Sequence, residues 1–239
     1  MGRHLAQQFL DLEGIKLHQV YSPSQKPEAN PSVCMINDLN DLEQADLLII
    51  AVSDDAIAHL AQQIPRDFCV VHTSGTVGMN ALGDHAKRGV FYPLQSLSKD
   101  HHVSFDEIPI CLEANNEKTM NLLETIAYKL SKKVVHINSE QRLELHLGAV
   151  LVNNFANHLY TLSQRHLAQK DIPFDLLHPL IEETTKKALS IGPKAAQTGP
   201  AKRQDLKTIG RHLALIKDQQ LKEIYNLLST SIQGLSKTE

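Results

Sequence analysis

The rhythm of apolar residues changes once along this chain, and that change limits the folds open to it. From Leu17 to His136, short apolar runs alternate with helical stretches. LHQVY, DLLIIAVS, FCVVHTSG, GVFYPL, IPICLEA and KVVHI have strand character, whereas LAQQFL, AIAHLAQQI and TMNLLETIAYKL repeat apolar residues at helical spacing. Such alternation predicts an open α/β sheet of mainly parallel strands with helical crossovers. Pro23 to Asn37 carries three prolines and few apolar residues, so it reads as a loop with one short strand around Val33 to Met35.

After Ile137 the strand pattern stops. Ser139 to about Ala168 contains no proline and keeps helical spacing, which predicts one long helix capped by Asn138 or Ser139. Pro173 precedes a further helical stretch that Pro179 either kinks or starts and that Gly192-Pro193 ends. A last pair of helices is expected over Leu206 to Ile216 and Gln219 to Gln233. The expected domains are therefore residues 1–137, α/β, and residues 138–239, all helical.

Composition narrows the function classes. With 239 residues and 42% apolar content the chain can build a real core, so disorder is a poor reading. Its 27 acidic and 24 basic residues leave a formal charge of -3 with no extreme tail, which gives no electrostatic case for nucleic acid or an anionic membrane as partner. Cys34, Cys69 and Cys111 match neither a closed disulfide set, a zinc site nor a CxxC motif, and a reducing cytoplasm is the simplest expected setting. MGRHLAQQF does not read as a signal peptide, and no run of 18 apolar residues occurs, so a soluble protein is expected.

Ligands of open parallel sheets collect beyond the carboxyl ends of the strands. Four such ends stand out here: Ser22-Pro23-Ser24, Ser53-Asp54-Asp55, Thr73-Ser74-Gly75 and Pro93-Leu94-Gln95-Ser96. Small and hydroxyl residues allow close backbone approach and offer neutral donors to ribose or phosphate. Turn chemistry explains any one end better than a ligand does, but the recurrence favours a binding edge. Asp54 and Asp55 read as residues that cap the following helix rather than as a catalytic or metal-binding pair. His72 is open between a buried, hydrogen-bonded histidine and a cleft-edge residue. Cys69 and Cys111, inside strands, read as packing.

The long helix carries a second constellation. His146, Val150, Asn153 and Asn157 share one face, Asn154 and His158 lie on the next, and Leu147, Leu151, Phe155, Leu159 and Leu162 supply apolar contacts. Asparagine is disfavoured inside helices and costly to bury unpaired, so this density signals either a polar ligand site or else a structural interface or solvated face. Arg203, in AAQTGPAKRQDLKTIGRHL, reads either as a bidentate anion clamp or as a surface neighbour of a helix-capping Asp205.

LLIIAVSDDAI, VVHTSGTVGMNAL, GVFYPLQSLS, AVLVNNFANHLYTLS, PLIEETTKKAL and AQTGPAKRQDLKTIGRHL, in that order, resemble a bacterial family of unassigned reaction. That family joins an N-terminal Rossmann-like, NADP-binding domain to a helical domain of unknown function numbered 2520. More distantly, the chain is similar to pyrroline-5-carboxylate reductase and the β-hydroxyacid dehydrogenases, whose helical domain closes the substrate cleft and often mediates dimers. The resemblance implies a glycine-rich turn after a first strand. This chain is expected to begin after that strand, with Gly2 of Met1-Gly2-Arg3 matching the later small position of the turn.

The cofactor-binding candidates so implied are Gly2, Arg3, Ser22, Lys26, Ser53, Thr73, Ser74, Gly75 and Pro93. Lys26 stands near where relatives place an arginine for the 2'-phosphate, and neither Ser22 nor Ser24 is acidic, so NADP is expected ahead of NAD. The lysine that β-hydroxyacid dehydrogenases use is replaced by Leu151, leaving His158 as titratable candidate, Asn154 as positioning donor and Arg203 as anion clamp. The expected protein is a cytoplasmic, homodimeric NADP-dependent oxidoreductase acting on a small polar, anionic substrate. A non-catalytic nucleotide or metabolite sensor working through domain closure, or a structural dimer module, are the alternatives.

Overall fold

A computed structural model of the chain describes residues 1–23, 33–98 and 103–235; Ser24 and Lys26 lie outside the described residues. It divides into two compact units, Met1–Asn154 and Phe155–Glu239. In the first, the elements run α1 (Gly2–Leu10), β1 (Gln19–Tyr21), β2 (Cys34–Ile36), β3 (Leu48–Ile50), α2 (Asp54–Gln63), β4 (Cys69–His72), β5 (Lys87–Pro93), β6 (Ile110–Ala114), α3 (Glu117–Leu130), β7 (Val134–His136) and α4 (Ser139–Ala149). Every run expected to be a strand or helix in this half is one.

Strands β3 to β7 form one sheet in sequence order, while among the described residues β1 and β2 pair only with each other. All neighbours are parallel except β5 and β6, which run antiparallel with Tyr92 opposite Cys111. Parallel neighbours normally need a helical crossover. Among the described residues between Pro93 and Ile110 no helix occurs, consistent with the reversal there. This is a Rossmann-like, mainly parallel α/β arrangement followed by a helical region.

Helices cover both faces of the larger sheet. Leu5 and Phe9 of α1 and Leu123, Ala127 and Leu130 of α3 bury Val71, Phe91, Ile110 and Leu112. On the opposite face Ile57 and Ala61 of α2 bury Ile50 and Val70. Burial on two faces is why β4 reads as the unbroken apolar run CVV, with all four of its residues buried. Leu17, ahead of β1, and Leu47 and Ile49, beside and within β3, pack on the same core as α1, so the two-stranded sheet shares that core without sharing a hydrogen-bond ladder with β3. Cys69 and Cys111 are buried in their strands, and burial pushes both thiols up, as packing residues require.

The expected long helix extends from Ser139 to Ala168, with a π-helical stretch, Val150–Phe155, between α4 and α5 (Ala156–Ala168). Asn138 caps it through a reciprocal box with Gln141. The two compact units part inside the π-helical stretch, a full helix beyond residue 138, because the first turns of α4 are bonded to the sheet. In the second unit follow α6 (His178–Ile191), α7 (Pro193–Ala196), α8 (Leu206–Leu215) and α9 (Gln219–Leu235). Pro179 lies in the first turn of α6, where its missing N–H costs nothing, so it starts this helix rather than kinking it. Gly192, at φ 83°, stops α6. His212 Nδ1 and Tyr225 Oη, 2.8 Å apart, tie α8 to α9. No helix among the described residues is long and apolar enough to cross a membrane.

Candidate functional site

The carboxyl ends of β3, β4 and β5 are held together by one loop. Residues 73–78 leave β4 and are fixed from three sides. Ser74 Oγ accepts the N–H groups of Thr76 and Val77 at 3.1 and 3.0 Å, folding the loop on itself. Thr76 donates its hydroxyl to the Asp54 carboxylate at the start of α2. Val77 gives its carbonyl to Arg142 of α4, and Met79 N–H donates to Ser139 Oγ at 3.1 Å. Asp54 thus adds a loop contact to its favourable place in the first turn of α2, where Ser53 is the N-cap residue but makes no side-chain cap bond.

Gly75 sits at the crest of that loop. A Cβ there would lie 2.6 Å from His146 Nδ1 and 2.9 Å from Tyr92 Oη, so the position admits no side chain without moving that pair. Tyr92 Oη and His146 Nδ1 are themselves 3.2 Å apart. The tyrosine is 8% exposed at the end of β5, and burial pushes its phenol up, which keeps it protonated. His146 is half-buried on α4.

The anchor of α4 explains why His146 is there. Arg142 lies one turn earlier on the same face and is 1% exposed. Its guanidinium donates to Glu113 of β6, to the Val77 carbonyl and to Ser139 Oγ. Ser139 in turn donates to both Glu113 carboxylate oxygens, at 3.0 and 2.8 Å. Ser139, Arg142 and His146 therefore form one inward row, the first two bonded to Glu113 and the third meeting Tyr92.

Electrostatics divides the labour among these groups. His72, fully buried at the end of β4, is pushed down to about 4 by burial and then by Arg142, so it is neutral near pH 7. Its Nδ1 accepts the Ser74 N–H at 3.2 Å, which leaves the proton on Nε2. His72 is thus the buried, hydrogen-bonded histidine of the two readings. Burial raises the Asp54 carboxyl, but hydrogen bonds from Thr76 and Ser74, with His146 and His72 nearby, outweigh this and hold it below its ordinary value.

The expected cofactor residues gather in part at this edge. Gly2 lies against the end of β3: a Cβ on it would come 3.3 Å from Ala51 Cβ, tight enough to exclude larger residues without a shift. Helix α1 starts there without a side-chain cap and carries Arg3 exposed in its first turn. His4 reaches the Ser98 carbonyl beyond β5 at 3.0 Å. A helix amino terminus with close backbone approach and a nearby cation suits a pyrophosphate. Ser53 is exposed beside this point, Thr73 extends the ladder by donating to the Ile50 carbonyl at 3.1 Å, and Pro93 is buried at the end of β5. Ser22 follows β1, in the smaller sheet, and donates its N–H to the Ile36 carbonyl at 3.0 Å.

Asn154 closes the first unit, exposed within the π-helical stretch, a distortion frequent at functional sites. His158 and Arg203 belong to the second unit and are exposed. Asp205 caps α8 through the Thr208 N–H at 3.0 Å, and that bond, then the Thr208 hydroxyl, holds its carboxyl low, with Arg203 adding a smaller effect. The capping role foreseen for Asp205 is realised. Among the described residues, no three metal-ligating side chains come together.

Tyr92, Glu113 and Arg142 were not singled out by sequence reasoning as site residues, and His146 was placed on the polar helix face without a role of its own. His146 and Arg142 had a usable signal in their spacing of four on a capped helix. Their strand partners had none, because Tyr92 and Glu113 are 54 and 29 residues away.

Residues 108–232 match the family described as Domain of unknown function (DUF2520). The chain belongs to this family. A candidate NADP oxidoreductase from Bacteroides fragilis is 37% identical and superposes with a TM-score of 0.82, over 97% of this chain and 92% of that one. Protein TM1727 from Thermotoga maritima is 22% identical, with a TM-score of 0.75 over 97% of this chain and 96% of that one. An imine reductase from Myxococcus stipitatus, solved with NADP+, shares the fold at 14% identity and a TM-score of 0.63, over 100% of this chain and 90% of that one. No protein of curated function matches the chain.

Proposed function

We propose that this DUF2520 protein is an NADP-dependent oxidoreductase acting on a small polar, anionic substrate. The observation that carries the reading is the edge just described, where Gly2, the uncapped start of α1 and Arg3 suit a pyrophosphate and the Thr73–Gly75 loop leads on to polar side chains. The Bacteroides fragilis relative, described by its cofactor, supports it. A bound nicotinamide supplies hydride chemistry. The protein's own residues bind the phosphates, present a neutral hydroxyl and amide surface, and hold protons. Arg203 is assigned to the substrate's anionic group and Asn154 and His158 to its polar atoms, each being exposed.

Two copies associate through the helical unit. Its large exposed apolar side chains include Leu189, 84% exposed, with Leu227, Leu206 and Leu176. Sedimentation equilibrium is expected to give twice 26.6 kDa; a monomer at micromolar concentration would rule out the dimer.

The reaction is tested by following NADPH absorbance after adding small anionic carbonyl and cyclic imine compounds to the full chain. Turnover of at least one, lowered at least tenfold in Arg203→Ala at unchanged NADPH affinity, is expected. NADPH binding without any turnover across the series would favour the sensor reading instead.

A further inference from the structure

We propose that His146 is the proton donor of this site, with Tyr92 as its positioning residue and a carbonyl or imine carbon as the acceptor of hydride. This rests on the oxidoreductase reading above and assigns within it a role that is otherwise open.

The assignment follows from geometry. His146 meets the site's loop over Gly75, and a Cβ on Gly75 would displace the ring. Its Nδ1 is engaged by Tyr92 Oη at 3.2 Å. Because the buried phenol stays protonated, it donates to Nδ1 when the imidazole is neutral, and the ring proton then sits on Nε2. When the imidazole is charged, Nδ1–H donates back to the phenol oxygen. In both states one hydrogen bond at Nδ1 fixes the ring and leaves Nε2–H as the bond not engaged by Tyr92. Arg142, locked to Glu113, prevents α4 from turning His146 away.

The charged groups around the ring come from three elements. Asp54 at the start of α2 interacts with it electrostatically, while Arg142 and Glu113, on α4 and β6, neutralise each other within an ion pair. His72 cannot take this role, because it is fully buried, its Nδ1 is occupied by Ser74, and it is neutral near pH 7.

In the reductive direction the substrate C=X carbon receives hydride from a reduced nicotinamide dinucleotide, the C=X π pair moves to X, and X takes the Nε2 proton of the charged His146 ring, which is left neutral with its remaining proton on Nδ1, bonded to the Tyr92 oxygen. Substrate is reduced, dinucleotide is oxidised, and the imidazole regains its proton from water. In the reverse direction the neutral ring accepts the proton at Nε2 from its Nδ1–H tautomer, in which Nδ1–H donates to the Tyr92 oxygen.

The test uses the full chain labelled with 15N-histidine and long-range 1H–15N correlation across pH, alone and saturated with NADPH or NADP+, with cofactor affinities measured separately by fluorescence and calorimetry. Signals of His146 are those missing from His146→Asn. The neutral ring is expected as the Nε2–H tautomer, with that preference lost in Tyr92→Phe. Its titration midpoint is expected to be lower with NADP+ than with NADPH by about one pH unit, the effect of one charge ~6 Å away at an effective dielectric of ~40. A structural histidine remote from the nicotinamide would not distinguish the two redox states. Both cofactors bound with identical His146 titrations would overturn this assignment and leave the oxidoreductase reading standing; neither cofactor bound would overturn both.

Discussion

Arg142→Ala is expected to destabilise the protein by about 3–5 kcal/mol in urea unfolding, because it strands Glu113 without its partner in a largely buried place. The guanidinium is 1% exposed, so solvent cannot replace the lost contacts. Its hydrogen bonds to Glu113, Val77 and Ser139 go with it, as does its electrostatic hold on His72. Since a buried ion pair is a poor source of net stability, the double replacement Arg142→Met with Glu113→Gln is expected to recover most of the loss. The cycle separates the pair from the rest of the network. A single-variant loss below about 1 kcal/mol would show that α4 is anchored by apolar packing alone, and the fixed place of His146 would then need another cause.

The second large effect is an acid-side loss of stability from His72. The folded protein keeps this imidazole neutral down to about 4, whereas an unfolded chain protonates it near the ordinary value of 6.5. Between those values the unfolded state binds more protons, so unfolding is favoured as pH falls. The contribution is complete above pH ~6.5, declines through the interval and is gone below pH ~4; about 2.5 units correspond to roughly 3 kcal/mol. Carboxylates and the other histidines change stability over the same range, so the quantity to read is the difference from His72→Asn. Asparagine Oδ1 can still accept the Ser74 N–H but does not titrate. Stability of the variant relative to wild type is expected to rise by about that amount from pH 7 to pH 4. Parallel pH profiles for the two proteins would mean that His72 reaches solvent.

Much of the fold was legible because its signals are local. The unbroken CVV run gave β4, and the proline-free span after Asn138 gave the long helix together with its cap. Long-range facts were not legible. Nothing in the GVFYPL and IPICLEA runs states that β5 and β6 are antiparallel, and the separate pairing of β1 with β2 follows from tertiary placement rather than from either strand's residues. The site divides the same way. Ser53, Thr73, Ser74 and Gly75 could be found as small residues at strand ends, because small residues there are a local requirement. Tyr92 read as part of a strand and Arg142 as an ordinary helix cation, since the meaning of each depends on a partner brought in by the fold. Asp54 shows the intermediate case: its helix-start position was visible, but its bond to Thr76 was not.

On the proposed function, the carboxyl edge of the sheet, entered beside Gly2, holds a nicotinamide dinucleotide. Calorimetric titration of the full chain with NADPH, beside Gly2→Val, tests it most directly. Valine at this position would force apart α1 and the end of β3, where even a Cβ comes within 3.3 Å of Ala51. Saturable 1:1 binding to the wild-type chain is predicted, with affinity at least tenfold weaker in the variant and circular dichroism showing the variant folded. No saturable binding to the wild type, or equal affinity in a folded variant, would contradict it.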